Sequence, residues 1–390
     1  MWLRIETLVL RHQLGHGAIS ADAKPLLARL ESYAEADRVF GTEIAEIEAI
    51  EKRTKHDVAA FLEWVRSWSG PAARFLHYGL TSSDLVETAQ GMRFRLMRET
   101  LMGELVSLQD ELGRWSLNDQ PILGRTHGQV AEAMTMRARA WGWMANAAAA
   151  AVQLLSACKR MEVAKISGPT GIYSHVPPIV ETEVAIELEL RPHSAGATQI
   201  GIRQPLAAWA SSASQFIDAL AKMAHDIRLM NLTGELRFHS TPGQVGSSSM
   251  AHKVNPIPAE QLAGMSAMGR GYAAMLQQMP LWLERDISNS SVERVAVPDL
   301  WHVTMHSIRL ARQVLESAWL DESAITSEFT NAGADPIVFE LTMEYISRGL
   351  SWKDARDMAK WDRCKADPSQ GLAAMVNYPI PHPGGRNDRG

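Results

Sequence analysis

The stretch FIDALAKMAHDIRLM at residues 216–230 decides the fold class, because Phe216, Leu220, Met223, Ile227 and Met230 are its regularly spaced apolar positions and step four, three, four, three. Side chains on one face of an α-helix recur about every 3.6 residues, whereas one face of a strand recurs every two, so the stretch predicts a helix with one apolar stripe. The same stepping runs through LMGELVSLQDELGRW at 101–115, on Leu101, Leu105, Leu108, Leu112 and Trp115. Stripes of this kind are the seams along which long helices pack into a bundle. Small residues from Ala147 to Ala151 allow close helix approach. Met265, Met268, Tyr272, Met275 and Met279 continue the pattern and read as packing, not as a ligand box.

Working outward, prolines at 25, 71, 121, 169, 205, 242, 298 and 336 delimit long proline-free stretches that suit long helices. Strand-like alternation is scarce, with Val295, Ala296 and Val297 the nearest candidate. The expected fold is all-α. At about 150 residues per domain the 390 residues predict two or three units. The expected division is an N-terminal helical unit over 1–80, a central long-helix bundle over 81–320, and a short C-terminal helical unit over 321–390 whose tail from Tyr378 reads as disordered.

Composition narrows the function classes. With 46% apolar and 21% charged residues the chain is neither a disordered tract nor a collagen. Its 39 basic and 44 acidic side chains give a net charge of -5, so no excess of cations exists for binding nucleic acid by counterion release, and an anionic ligand needs a local cluster. Two cysteines without CxxC spacing, and charges in MWLRIETLVLRHQLGHG where a signal peptide would be apolar, predict a cytoplasmic protein. Ala140 to Cys158 carries no charge, but its asparagine, glutamine, serine and run of alanines predict a buried core helix, not a membrane span.

Four polar segments interrupt the helical pattern: HYGLTSSD at 77–84, GRTHGQ at 124–129, GSSSMAHKVNP at 246–256 and ERDISNSSVER at 284–294. Each alone has a bland reading: Ser83 or Asp84 as a helix cap, Asn255 before Pro256 as a helix start, His127 as a turn histidine. Together they gather hydroxyl, imidazole, amide and ammonium groups, which packing does not require. His12 and His16 have the spacing of a metal pair but sit beside Gly15 and Gly17, and no HExxH, P-loop or strand-linked GxGxxG is present. No metal and no cofactor is therefore expected.

GSSSMAHKVNP, followed by Glu260, resembles the signature loop of the fumarase, aspartase and argininosuccinate lyase superfamily. Within it, KHDV at 55–58, HYGLTSSD, GRTHGQ, and PLWLERDIS with SSVER after it are most similar to the adenylosuccinate lyase family, from about residue 2 to about 300. The resemblance implies a helical lyase of purine biosynthesis that cleaves a carbon-nitrogen bond by β-elimination of fumarate from a succinylated nucleotide. The substrate is adenylosuccinate, the related imidazole-carboxamide intermediate, or a base-modified variant. It also implies a homotetramer with each site built from three subunits. By resemblance Ser247 is the base, with Ser248 the second candidate; His127 is the general acid, Glu260 its orienting carboxylate, and His56 supports proton transfer. Lys253 and Asn255 hold the carboxylate that takes up developing charge. His77, Thr81, Ser82 and Gln199 bind the succinyl part, His56 also positions the substrate, with Lys55 and Asp57 beside it in KHDV as substrate-binding residues, and Arg285, Ser290 and Arg294 meet the phosphate, to which guanidinium is suited as a bidentate donor.

Two departures carry expectations. The family's Arg-Tyr phosphate contact lies ahead of the segment matching WLRIE at 2–6, which implies a change in phosphate affinity or substrate. Asn289 stands where many relatives have histidine, removing a titratable group. The competing expectations are a 3-carboxymuconate cycloisomerase-like enzyme, which the histidine of GRTHGQ disfavours, and a non-catalytic helical scaffold, which does not need Ser247, Lys253, His127 and Glu260 in combination.

Overall fold

The computed structural model describes residues 1–35, 41–193, 196–239, 250, 253–279 and 282–363; Ser247, Ser248, Cys364 and the tail from Tyr378 lie outside them. In chain order the elements are α1 (Trp2–Gly15), α2 (Lys24–Glu35), α3 (Gly41–Thr54), α4 (Asp57–Ser69), α5 (Ser82–Trp115), β1 (Pro121–Thr126), β2 (Gln129–Thr135), α6 (Met136–Met161), β3 (Val163–Ala164), α7 (Pro178–Glu187), β4 (Arg191–Pro192), α8 (Gln204–Thr233), β5 (Leu236–Phe238), α9 (Ile257–Gln277), α10 (Ser288–Ser317), β6 (Ala318–Leu320), α11 (Glu322–Ala332), α12 (Val338–Ser347) and α13 (Trp352–Arg363). The fold is predominantly helical, with six short strands among the described residues. Its longest helix, α5, has 34 residues, about 50 Å at the α-helical rise.

The stripe that opened the sequence reading is packed as expected: Phe216, Leu220, Met223, Ile227 and Met230 are all buried on α8. Leu101, Leu108 and Leu112 are buried on α5, and Leu105 and Trp115 are half-buried. The uncharged stretch lies in α6, which buries Ala140, Trp143, Ala147, Ala151, Leu154 and Cys158. Among the described residues no helix is long and apolar enough to cross a membrane.

Val295, Ala296 and Val297, the nearest strand candidate in a chain read as all-α, lie in α10, which runs through Pro298, so this proline does not delimit a helix as expected. A helix-interior proline costs about 3 kcal/mol, and here the buried Ala296, Leu300 and Val303 flanking it supply packing that keeps the helix continuous. The strands that do form include an antiparallel hairpin, β1 with β2, inside the GRTHGQ region. Its alternation is hidden by the adjacent buried pair Ile122 and Leu123 and by an irregularity at Gly124, where a Cβ would come within 2.6 Å of the Glu132 carbonyl oxygen. The methionine stripe is partly covered within the chain: Met268 and Met275 of α9 are 44% and 53% exposed, Met265 and Tyr272 are half-buried, and the buried face of this helix includes Leu262, Ser266, Ala273 and Leu276.

The chain forms two compact units. One comprises Met1–Gly103, Ala151–Gln215 and Met268–Thr304. Its core joins Ile5, Leu8 and Val9 of α1, Leu26 and Leu30 of α2, Phe61 and Val65 of α4, and Val180 and Val184 of α7. The other comprises Glu104–Ala150, Phe216–Ala267 and Met305–Gly390. Here Arg125 of β1 pairs with Glu328 of α11, the Trp143 indole N–H donates to Asp226 at 2.7 Å, and β5 pairs antiparallel with β6.

Candidate active site

In the first unit the polar segments are tied to one another by side chains far apart in sequence. Arg285 donates to the Ser83 hydroxyl, and Arg294 pairs with Asp57 at 3.0 Å. The backbone N–H of Gln199 and the hydroxyl of Thr198 both donate to the Glu284 carbonyl, at 3.3 and 2.7 Å. The 284–294 stretch therefore touches the first turn of α5, the start of α4 and the loop before α8. Arg285 is half-buried and has no carboxylate partner among the described residues. A partly buried guanidinium bonded only to a neutral hydroxyl is suited to an anion. Arg294 is 67% exposed, so its pair with Asp57 contributes little and is readily exchanged for a ligand.

Each candidate residue here has a local reason for its position. His56 caps α4, its Nδ1 accepting from the Ala59 N–H at 3.3 Å, which leaves Nε2 as the outward nitrogen. Lys55 before it and His77 both have positive φ, 54° and 66°. For residues other than glycine such backbone costs about 1–3 kcal/mol and collects at functional sites. The His77 turn is held by Glu6, whose carboxylate accepts from the His77 backbone N–H at 3.1 Å and faces its Nδ1 at 2.6 Å. Thr81 stands at the start of α5, where the Asp84 carboxylate accepts its N–H at 2.8 Å, as in a capping box. The bland capping reading is thus correct for Asp84. The hydroxyls of Thr81 and Ser82, both half-buried, have no protein partner among the described residues.

Asp84 does more than cap. It is fully buried and paired with the fully buried Lys165 at 2.7 Å, and the same oxygen accepts from the N–H groups of Ser167 and Gly168 at 3.1 and 3.3 Å. Lys165 also donates to the Gly168 carbonyl at 3.0 Å. This brings a fifth segment, KISGPTG at 165–171, against the HYGLTSSD turn. The sequence reading missed it. Its signal was two glycines with a proline between them: Gly168 and Gly171 have φ of 80° and 78°, and a Cβ on Gly171 would lie 2.1 Å from the Ala197 carbonyl oxygen.

One turn further along α5, Glu87 meets Arg203, which also pairs with Glu293 of α10, both at 2.7 Å. Burial alone would push the Glu87 carboxyl up, but the facing Arg203 guanidinium holds it below the ordinary glutamate value. Burial dominates at Glu293, and with the Glu87 charge nearby its pKa is raised although Arg203 opposes this. Burial disfavours the charge on Arg203, and the two carboxylates more than offset it. Asn289 is buried and donates to Glu293 at 3.2 Å, so the residue in the histidine position serves this network. Ser290, on the same first turns of α10, is half-buried.

In the second unit His127 and Gly128 are the two-residue loop between the paired Thr126 and Gln129. Their φ values of 53° and 76° match a type I′ hairpin turn, whose twist fits the flanking strands. The turn projects an exposed His127 side chain. Lys253 is exposed, Asn255 is half-buried ahead of α9, and Glu260 lies exposed in the first turn of that helix. The structure thus links the segments that carry the candidates of the first unit; in the second it places His127 on the hairpin turn, and Lys253, Asn255 and Glu260 just before and at the start of α9. No group of three or more metal-ligating side chains that could hold a metal ion is found among the described residues.

Comparison with known proteins places the chain among lyases. A lyase family model matches residues 17–271. The adenylosuccinate lyase of Deinococcus radiodurans is 35% identical over 321 residues, covering 80% of this chain and 72% of that protein. That of Thermotoga maritima is 32% identical over 371 residues, covering 93% and 83%. Among solved structures, a fumarate lyase from Mesorhizobium sp. BNC1 superposes with a TM-score of 0.78 at 22% identity, covering 96% of this chain and 86% of the other, and so shares the fold. A 3-carboxy-cis,cis-muconate lactonizing enzyme from Pseudomonas putida does so with a TM-score of 0.77 at 22% identity, covering 97% and 85%. The chain belongs to the lyase family that includes the adenylosuccinate lyases.

Proposed function

We propose that this protein is a carbon-nitrogen lyase that releases fumarate by β-elimination from a succinylated purine nucleotide, adenylosuccinate or its imidazole-carboxamide counterpart. The observation that carries this reading is the convergence of five separated segments around Arg285 and Ser83, with a guanidinium that has no carboxylate partner, and hydroxyls on Thr81 and Ser82 that have no partner, among the described residues. Such a set fits a polyanionic ligand on a protein whose net charge is -5.

The elimination needs a base at the Cβ proton, an acid at the leaving nitrogen and a stabiliser for the carbanion. Ser247 takes the proton, with Ser248 beside it in binding. His127 gives a proton to the leaving nitrogen, oriented by Glu260. Lys253 and Asn255 hold the carboxylate in which negative charge develops. His56, with Lys55 and Asp57, positions the substrate. His77, Thr81, Ser82 and Gln199 hold the succinyl part, while Arg285, Ser290 and Arg294 take the phosphate. A serine hydroxyl lies far above neutrality, so the Lys253 cation and exclusion of water must contribute to its activation.

The reading includes a cytoplasmic homotetramer with sites shared between subunits. The apolar side chains exposed on the long helices support self-association: Leu96, Met102 and Val106 on α5, Leu229 and Leu232 on α8, and Met268 and Met275 on α9. The test is subunit mixing. Ser247→Ala and His127→Ala proteins should each be inactive and fully helical, and should regain activity when their subunits are exchanged. No recovery after verified exchange refutes shared sites.

A further inference from the structure

Helix α1 carries three buried polar side chains in its inward face, Glu6, Thr7 and Gln13. Thr7 bonds its own helix, to the Leu3 carbonyl. The other two both grip one turn: Glu6 holds His77 by backbone and ring, and Gln13 donates from its amide nitrogen to the Tyr78 carbonyl at 3.0 Å. The turn is also fixed from its far side. Gly79, at φ 75°, packs so closely on His175 and Val176 that a Cβ would meet their side chains at 2.9 Å. His77 is thus held in a left-handed conformation by contacts from two directions, and its ring keeps 15% exposure.

An ionised carboxylate only accepts hydrogen bonds, and Glu6 already accepts the His77 backbone N–H, so with Glu6 ionised the 2.6 Å contact puts the proton of His77 at Nδ1. Nε2 is then the nitrogen presented outward, and it makes no hydrogen bond among the described residues. We propose that Glu6 is a positioning residue that fixes His77 as its Nδ1–H tautomer, so that Nε2 meets the ligand as a proton acceptor or, when the ring is charged, as a donor. The functional half of this proposal rests on the reading of His77 as a ligand-binding residue; the tautomer half stands on geometry alone.

Glu6→Gln tests it while keeping the shape. An amide places an N–H donor where a carboxylate oxygen stood, and a donor facing Nδ1 selects the opposite tautomer. The full chain labelled with 15N-histidine, its His77 signals assigned by loss in His77→Asn, should show Nδ1 protonated in the unsubstituted protein and Nε2 protonated in Glu6→Gln. Steady-state kinetics with adenylosuccinate should then show Glu6→Gln lowering kcat/KM about tenfold to a hundredfold, the scale at which loss of a histidine's orienting partner is felt. Glu6→Asp should recover part of it. An Nε2–H tautomer in the unsubstituted protein overturns the proposal even if Glu6→Gln fails to fold. A tautomer switch with unchanged kinetics overturns the positioning role. Absence of fumarate release by the unsubstituted protein, with the tautomers as predicted, refutes the lyase reading and leaves the orientation by Glu6 supported.

Discussion

Lys165→Met removes the cation from a pair in which neither side chain has any solvent exposure. What remains is the Asp84 carboxylate, fully buried, with the Thr81, Ser167 and Gly168 N–H groups as its donors among the described residues. Three backbone donors satisfy much of its hydrogen-bonding capacity but supply no net charge, and breaking a buried ion pair from one side costs about 3–5 kcal/mol. Asp84→Asn added to Lys165→Met removes the stranded charge, and the double variant should be more stable than Lys165→Met alone by at least about 1 kcal/mol. Urea unfolding followed by far-ultraviolet circular dichroism reads this directly. With a slope near the upper end for proteins, about 3 kcal/mol per M, the transition that includes the first unit should fall by about 1 M or more. A fall of less than about 0.3 M in Lys165→Met would refute the reasoning, as would a double variant weaker than the single one.

The Glu87 pKa is depressed, so its ion pair contributes stability that is complete above the ordinary value of 4.5 and is lost as pH falls through the lower folded value. Glu87→Gln should therefore be destabilised at pH 7 and approach the unsubstituted protein in acid. Glu293 is shifted the opposite way, so its protonation contributes stability below 4.5 that is lost as pH rises through the folded value. Glu293→Gln should accordingly cost less than Glu87→Gln at pH 7, and equal losses would contradict the assignment. Burial pushes the Cys158 thiol up to about 12; in a Cys364→Ser protein, Ellman's reagent at pH 8 should find no reactive thiol before denaturation and one after it. Sedimentation should show a tetramer that charged substitutions at Met268 and Met275 weaken, since both are exposed on the isolated chain; a monomer at assay concentration would contradict that expectation.

The helical fold was legible because its signal repeats: the stripes on α5 and α8 recur over several turns, and burial follows them. Pro298 was misread because a single breaker is a local cost that neighbouring packing can outweigh. The hairpin around His127 was hidden for a related reason, since a two-residue turn with His-Gly and an irregularity at Gly124 leaves no uninterrupted alternation. The polar segments stood out because packing does not require their chemistry. Their ties did not: nothing local to Ser83 or Asp57 announces Arg285 or Arg294 more than two hundred residues away. Lys165 and Glu6 were passed over because each sits in a stretch that reads as ordinary helix or loop, and only burial against Asp84 and His77 gives them a role.

The most direct measurement of the central claim is fumarate release, followed by its ultraviolet absorbance, from a panel of succinylated purine and imidazole nucleotides with and without the phosphate. Adenylosuccinate or its imidazole-carboxamide counterpart should yield stoichiometric fumarate. Ser247→Ala should lose activity, and substrates without the phosphate should show a weaker KM that Arg285→Ala reproduces. A folded, oligomeric protein that releases fumarate from no member of the panel would contradict the lyase reading.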